Sequence, residues 1–124
     1  MPASLRTGID LIEIDRFTCA CQRYNQRFLR RIFTPIELSE NGGNMASLAA
    51  RFAAKEAVAK AFGTGIGKIS WQDIEIRRGI SGEPNLHLHG AAQKMAEEQN
   101  IATWSLSLSH THSHAIAMVV AIVE

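Results

Sequence analysis

Two acids set among apolar neighbours are the first sign of chemistry. Asp10 lies between Ile9 and Leu11, and Glu56 stands in the run Ala53-Ala54-Lys55-Glu56-Ala57-Val58-Ala59-Lys60. A buried carboxylate is costly unless it is paired or holds a metal. Glu56 and Lys60 have the i, i+4 spacing of a helical ion pair, worth about 0.3–0.5 kcal/mol. Asp10 has the equivalent plain reading, a strand-end acid paired with an arginine. The alternative for both is a metal site, but spacing alone does not bring them together. His110, His112 and His114 alternate, so on a strand they share one face and suit zinc or copper. The same residues also suit an exposed hairpin turn, and a fourth ligand is not evident.

A third feature is charge. Arg16, Arg23, Arg27, Arg30 and Arg31 occur between positions 16 and 31 with no acid among them. On a helix, Arg16, Arg23, Arg27 and Arg30 gather into an arc of about 60°. Such a stripe steers an acidic partner, contacts a phosphate backbone or is simply solvated. The net charge of only +1 and the lack of a nucleic-acid motif argue against nucleic acid.

The elements that must position these groups form a single α+β domain over residues 1–124, with a long central helix packed on an antiparallel sheet. Thr7 to Ile14 reads as a strand, with Ile9 and Leu11 on one side and Asp10, Ile12 and Ile14 on the other. Asp15 caps a helix from Arg16 to Ile32 whose buried face is Phe17, Ala20, Tyr24 and Phe28. Thr34-Pro35 opens a short helical turn, and Asn41 to Asn44 is a loop. Met45 to Phe62 is the strongest helix, stopped by Gly63. Its alanines at 50, 54, 57 and 61 form a stripe on which another backbone can lie. Trp71 to Arg78 reads as a strand, followed by a turn over 81–85 and a strand from Leu86 to His89. Ala91 to Gln99 is helical. Trp104 to Ser109 alternates, with Trp104, Leu106 and Leu108 inward, and pairs through the turn at 110–114 with a strand from Ala115 to Val123.

Composition narrows the setting. The apolar fraction of 46% supports a packed core, and a domain of this size gains buried area by oligomerising. The opening Met1 to Arg6 lacks the apolar segment of a signal peptide. The longest apolar run, Ala115 to Val123, is about half a membrane span. Cys19 and Cys21 point to different sides of their helix. A reduced, cytoplasmic protein with neither membrane nor nucleic-acid partner is expected.

Three segments carry a resemblance. Gly8 to Phe17, Arg51 to Gly63 with its continuation Thr64-Gly65-Ile66-Gly67, and Leu106 to Thr111 resemble, in order and spacing, the signatures of the 4'-phosphopantetheinyl transferases. The form is that of bacterial holo-acyl-carrier-protein synthases. The resemblance implies that Asp10 and Glu56 bind Mg2+ and that Glu56 and Lys60 are catalytic. It further implies that Arg51, Lys60, Gly63, Gly65, Pro84, His110 and Thr111 contact coenzyme A, and that Arg16, Arg23 and Arg27 dock an acidic acyl carrier protein. Lys55 has two readings, a second phosphate contact or a structural ion pair. The implied reaction moves the 4'-phosphopantetheine arm of coenzyme A to a carrier serine, for fatty-acid or polyketide synthesis. A homotrimer with sites between subunits is implied as well.

Overall fold

At the centre lies the helix that the sequence marks most clearly. In the computed structural model, which describes residues 4–124 and leaves the side chain of Asn25 aside, the chain runs β1 (Ser4–Glu13), α1 (Ile14–Ile32), α2 (Pro35–Asn41), α3 (Met45–Phe62), a 3-10 turn (Trp71–Asp73), β2 (Ile74–Arg78), β3 (Pro84–Leu88), α4 (Gly90–Glu98), β4 (Ile101–His110) and β5 (His114–Val123). Residues 1–3, part of the segment expected to lack a signal peptide, lie outside the described residues. No helix among the described residues is long and apolar enough to cross a membrane.

The ends of α3 follow from local chemistry. Asn44 caps it by accepting the Ser47 N–H at 3.0 Å, and Gly63 adopts the left-handed conformation at φ 85° while donating to the Ala59 and Lys60 carbonyls. A residue with a side chain resists that geometry. Between the ends, Leu48, Ala49, Ala53, Ala54, Ala57 and Val58 are all fully buried. The small side chains let the β1 backbone come very close. A Cβ added to Gly8 would stand 1.8 Å from the Ala57 carbonyl oxygen.

The main sheet is antiparallel in the order β1-β5-β4, and β2 and β3 form a separate two-stranded sheet. Register pairs Gly8 with Val119, Asp10 with Ala117 and Ile12 with Ala115, so these six share the face against α3. Trp104, Leu106 and Leu108 point the same way and pack on that core, as their alternation predicts. The opposite face of β1 and β5 carries Leu5, Ile9, Leu11, Met118 and Ile122, all exposed.

Four expectations need correction. The first helix begins at Ile14, with Glu13 rather than Asp15 in the capping position and no side-chain cap. The Ile14 N–H instead donates to the Ser113 carbonyl at 2.9 Å, so β1 passes into α1 without needing a capping side chain. The buried stripe of α1 is Ile14, Phe17, Cys21 and Ile32, whereas Tyr24 is 56% exposed. Tyr24 covers the Phe28 ring, centroids 6.0 Å apart, instead of entering the core. Residues 71–73 form a 3-10 turn, not a strand: the Asp73 N–H donates to the Ser70 carbonyl at 3.1 Å, and the Asp73 carboxylate accepts the Ser70 N–H at 3.2 Å. Finally, β3 starts at Pro84, opposite Arg78, so Pro84 belongs to the strand and the turn is tighter than expected.

Candidate active site

The close seat of β1 on α3 brings Asp10 to the helix that carries Glu56 and Lys60. The Lys60 ammonium donates to Asp10 Oδ1 at 3.0 Å and to the Ile9 carbonyl at 2.9 Å. Lys60 therefore pairs across the two elements, and the expected Glu56–Lys60 helical pair is not formed among the described residues. Burial pushes the Glu56 carboxyl up, the nearby Asp10 charge pushes it further, and Lys60 pulls it only partly back. A Glu56 carboxylate held this way lacks full compensation. A divalent cation with a preference for oxygen ligands would supply what is missing, and one or two carboxylates are the usual protein contribution to a magnesium site. The donors present therefore fit Mg2+.

A second cluster lies elsewhere on α3. Arg51, Ser47, Gly82, Pro84 and His110 line a cavity of about 190 Å³. Arg51 is only 6% exposed. One of its terminal nitrogens donates to the Ser47 hydroxyl at 3.1 Å, while its Nε is the sole buried side-chain polar atom without a partner among the described residues. Burial and the Arg78 charge lower its pKa, opposed by Glu40 and Glu37, yet a guanidinium stays charged near neutrality. A buried cation with an idle donor is suited to an anion, and phosphate matches its planar fork.

The two clusters do not converge within one chain. Arg51 and Lys60 are nine positions apart on α3, so at about 100° per residue they lie about 180° apart, whereas Glu56 and Lys60 are within about 40°. Gly63 and Gly65 are at the Lys60 end of the helix, both with positive φ and no group pressing on them. The Thr111 hydroxyl accepts the N–H groups of Ser113 and His114 at 3.2 and 3.1 Å, which holds the β4–β5 turn. His110, His112 and His114 are all exposed and do not assemble into a metal-binding group among the described residues. His110 lines the Arg51 cavity and His114 a different one beside Arg16. Arg16, Arg23 and Arg27 are exposed along α1. Arg23 and Arg27 flank an open groove with Tyr24, and Arg16 rims a largely apolar cavity of about 390 Å³ floored by Phe17, Phe28 and Phe52.

Lys55 resolves to one of its two readings. It is fully buried against Glu37 at 2.8 Å, so it has no route to a phosphate. Sequence reasoning overlooked Glu37 and the cavity-lining Ser47 and Gly82. The only signal for Glu37 was its place three residues after Thr34, the capping-box position that it occupies.

Comparison with known proteins shows the family and the fold. The profile of the 4'-phosphopantetheinyl transferase superfamily matches residues 6–119. A holo-[acyl-carrier-protein] synthase of Herpetosiphon aurantiacus is 50% identical over 123 residues, covering 94% of this chain and 97% of the relative. One from Moorella thermoacetica is 49% identical over 97% of this chain and 94% of its own length. The crystal structure of the Helicobacter pylori holo-[acyl-carrier-protein] synthase in complex with coenzyme A superposes with a TM-score of 0.86 at 34% identity, covering 93% of this chain and 98% of the other.

Proposed function

The chain belongs to the 4'-phosphopantetheinyl transferase superfamily, and on that premise we propose that it transfers the 4'-phosphopantetheine group of coenzyme A to a serine hydroxyl of apo-acyl carrier protein. The serine hydroxyl gives up its proton to solvent as its oxygen forms a bond to the β-phosphorus, the P–O bond to the leaving phosphate breaks, and adenosine 3',5'-bisphosphate departs. The observation that carries this reading is the convergence of Asp10, Glu56 and Lys60, with Lys60 3.0 Å from Asp10.

Asp10 and Glu56 would hold Mg2+, which offsets charge on the pyrophosphate when bound. Lys60 is half exposed and swings on a flexible stem, so it reaches phosphate oxygens on the same side of α3. Arg51 and His110 bind the phosphates at the far end of the cofactor. Most of the rate enhancement comes from fixing these charges in place, because phosphoryl transfer asks little covalent chemistry of the protein. Arg16, Arg23 and Arg27 form the docking ridge for an acidic carrier.

Two observations support an oligomer with composite sites, the homotrimer that the resemblance implies being one such assembly. The Lys60 and Arg51 clusters occupy opposite sides of one helix, so a single cofactor meets both kinds of group only when they come from different subunits. The exposed apolar face of β1 and β5, with Leu5 68%, Leu11 60% and Ile9 55% exposed, is of the sort that a subunit contact covers. The test is the intact mass of purified apo-acyl carrier protein after incubation with the protein, coenzyme A and magnesium. Gain of one phosphopantetheine, absent with Glu56→Ala and with a chelator, supports the transferase and the metal role together. No gain with several carriers, despite carrier binding, would leave a binding protein.

A further inference from the structure

Lys55 and Glu37 are each 0% exposed, which is an unusual place for two charges. Every donor of the Lys55 ammonium is used: one to Glu37, one to the Trp71 carbonyl at 3.0 Å and one to the Ile74 carbonyl. Glu37 also accepts the Thr34 N–H at 2.9 Å on one oxygen and the Ile76 N–H at 2.9 Å on the other. The pair thus ties α2 and α3 to the backbone of β2 on both sides of Glu75. Glu75 extends the network, taking the Thr34 hydroxyl on one oxygen and Arg77 and His89 on the other.

A buried ion pair is weak evidence for stability, since apolar residues of similar volume often serve as well or better. What it supplies is direction. Among the described residues the β2–β3 hairpin shares no hydrogen-bonded edge with the main sheet, and Ile74 and Ile76 reach the core around α3 through apolar contact, which is non-directional. The same hairpin brings Gly82 and Pro84 to the cavity whose other wall is Arg51. Asp10, Glu56 and Lys60 depend instead on the Gly8–Ala57 approach, which the network does not touch.

We infer that the Lys55–Glu37 pair sets the spacing between α3 and the β2–β3 hairpin, and so acts as a positioning device for the phosphate-bearing nucleotide end of coenzyme A. This rests on the function proposed above. Lys55 and Glu37 touch no substrate; they act through Pro84 and Arg51.

The experiment compares the wild type with Lys55→Met, Glu37→Leu and the double variant. It reads thermal stability, KM and kcat for coenzyme A, and calorimetric binding of adenosine 3',5'-bisphosphate. Each single variant loses stability, because it strands a buried charge. The double variant recovers a folded state close to wild type, but its KM and its bisphosphate Kd stay raised about tenfold while kcat changes less than about twofold, as expected for a misplaced wall. A double variant with wild-type KM and bisphosphate affinity overturns the inference, leaving a purely structural pair. Should that double variant not fold, the alternative apolar pair Lys55→Leu with Glu37→Met, which also strands no charge, carries the same reading. A raised KM at unchanged kcat supports the inference, and equal KM or a parallel fall in kcat overturns it. The bisphosphate measurement separates the two readings. A wild type that binds the bisphosphate but transfers nothing sinks the proposed function alone.

Discussion

The two sides of α3 are positioned by different physics. On the Glu56 side, β1 is pressed against the helix, and the placement of Asp10 follows from the absence of a side chain at Gly8, where a Cβ would lie 1.8 Å from the Ala57 oxygen. On the Arg51 side, the hairpin that completes the cavity is held by a buried polar network centred on Lys55, Glu37 and Glu75. Steric contact tolerates almost no change at one point but is indifferent to pH. A polar network spreads its sensitivity over several residues and responds to charge. One helix therefore presents two half-sites that should fail in different ways.

The largest expected effect sharpens this contrast. Replacing Glu56 with Gln removes one of two carboxylates while keeping its shape, and transfer should fall about 10²–10³-fold, the range for losing one charge-stabilising group. Binding of adenosine 3',5'-bisphosphate at the Arg51 side should stay within about twofold, because Glu56 does not line that cavity. Comparable losses in both readouts would show that the half-sites are not independent.

Next in size is an acid effect confined to the network side. Burial pushes Glu75 up, but hydrogen bonds from Thr34, His89 and Arg77, with the Arg77 charge, outweigh it and hold its pKa down from 4.5 to about 2. The folded state thus favours the ionised carboxylate. Its contribution is complete above the unfolded value of 4.5 and is lost as pH falls toward about 2, amounting to about 3 kcal/mol. Chemical denaturation from about pH 6 down to about pH 2 should show most of this loss, and Glu75→Gln should flatten that part of the curve. An unchanged curve in the variant would mean that Glu75 is not the group responsible.

The steric side should respond at a single atom. Gly8→Ala inserts a methyl where there is no room, and overpacking of this kind costs about 1–3 kcal/mol. Denaturation midpoints measure it. Because β1 must shift away from α3, the variant that still folds should lose transfer more than it loses bisphosphate affinity. Equal losses would tie Gly8 to the whole fold rather than to Asp10.

What was legible in advance follows the same division. The limits of α3 could be read because alanine-rich helix and a stopping glycine are local signals, and the inward set of β4 because alternation is local too. The alanine stripe even announced that a backbone would lie on α3. It did not say which one, and the meeting of Asp10 with Lys60 depends on a contact between positions 50 apart. Resemblance, not periodicity, joined them. The polar network was illegible for a related reason. Glu37 and Lys55 are 18 positions apart; Lys55 had two readings, a phosphate contact or a structural ion pair, and Glu37 had none, because burial depends on elements that neither residue's neighbours reveal. Tyr24 failed in the opposite sense: its spacing suited the buried stripe, but it packs over Phe28 and stays exposed.

The smallest effect concerns Lys60, which stands where the two carboxylates most need a cation. Its ammonium neutralises part of Asp10 at 3.0 Å, so a divalent ion arriving alone meets a competitor. Lys60→Met removes that competitor and should tighten binding of Mn2+ alone by about two- to fivefold, in keeping with the modest worth of a half-exposed pair, even as transfer falls for want of a phosphate contact. Titration by calorimetry without coenzyme A reads this directly. Opposite signs in the two measurements would place Lys60 between carboxylate and phosphate in turn, whereas weaker Mn2+ binding in the variant would mean that Lys60 chiefly holds Asp10 in position.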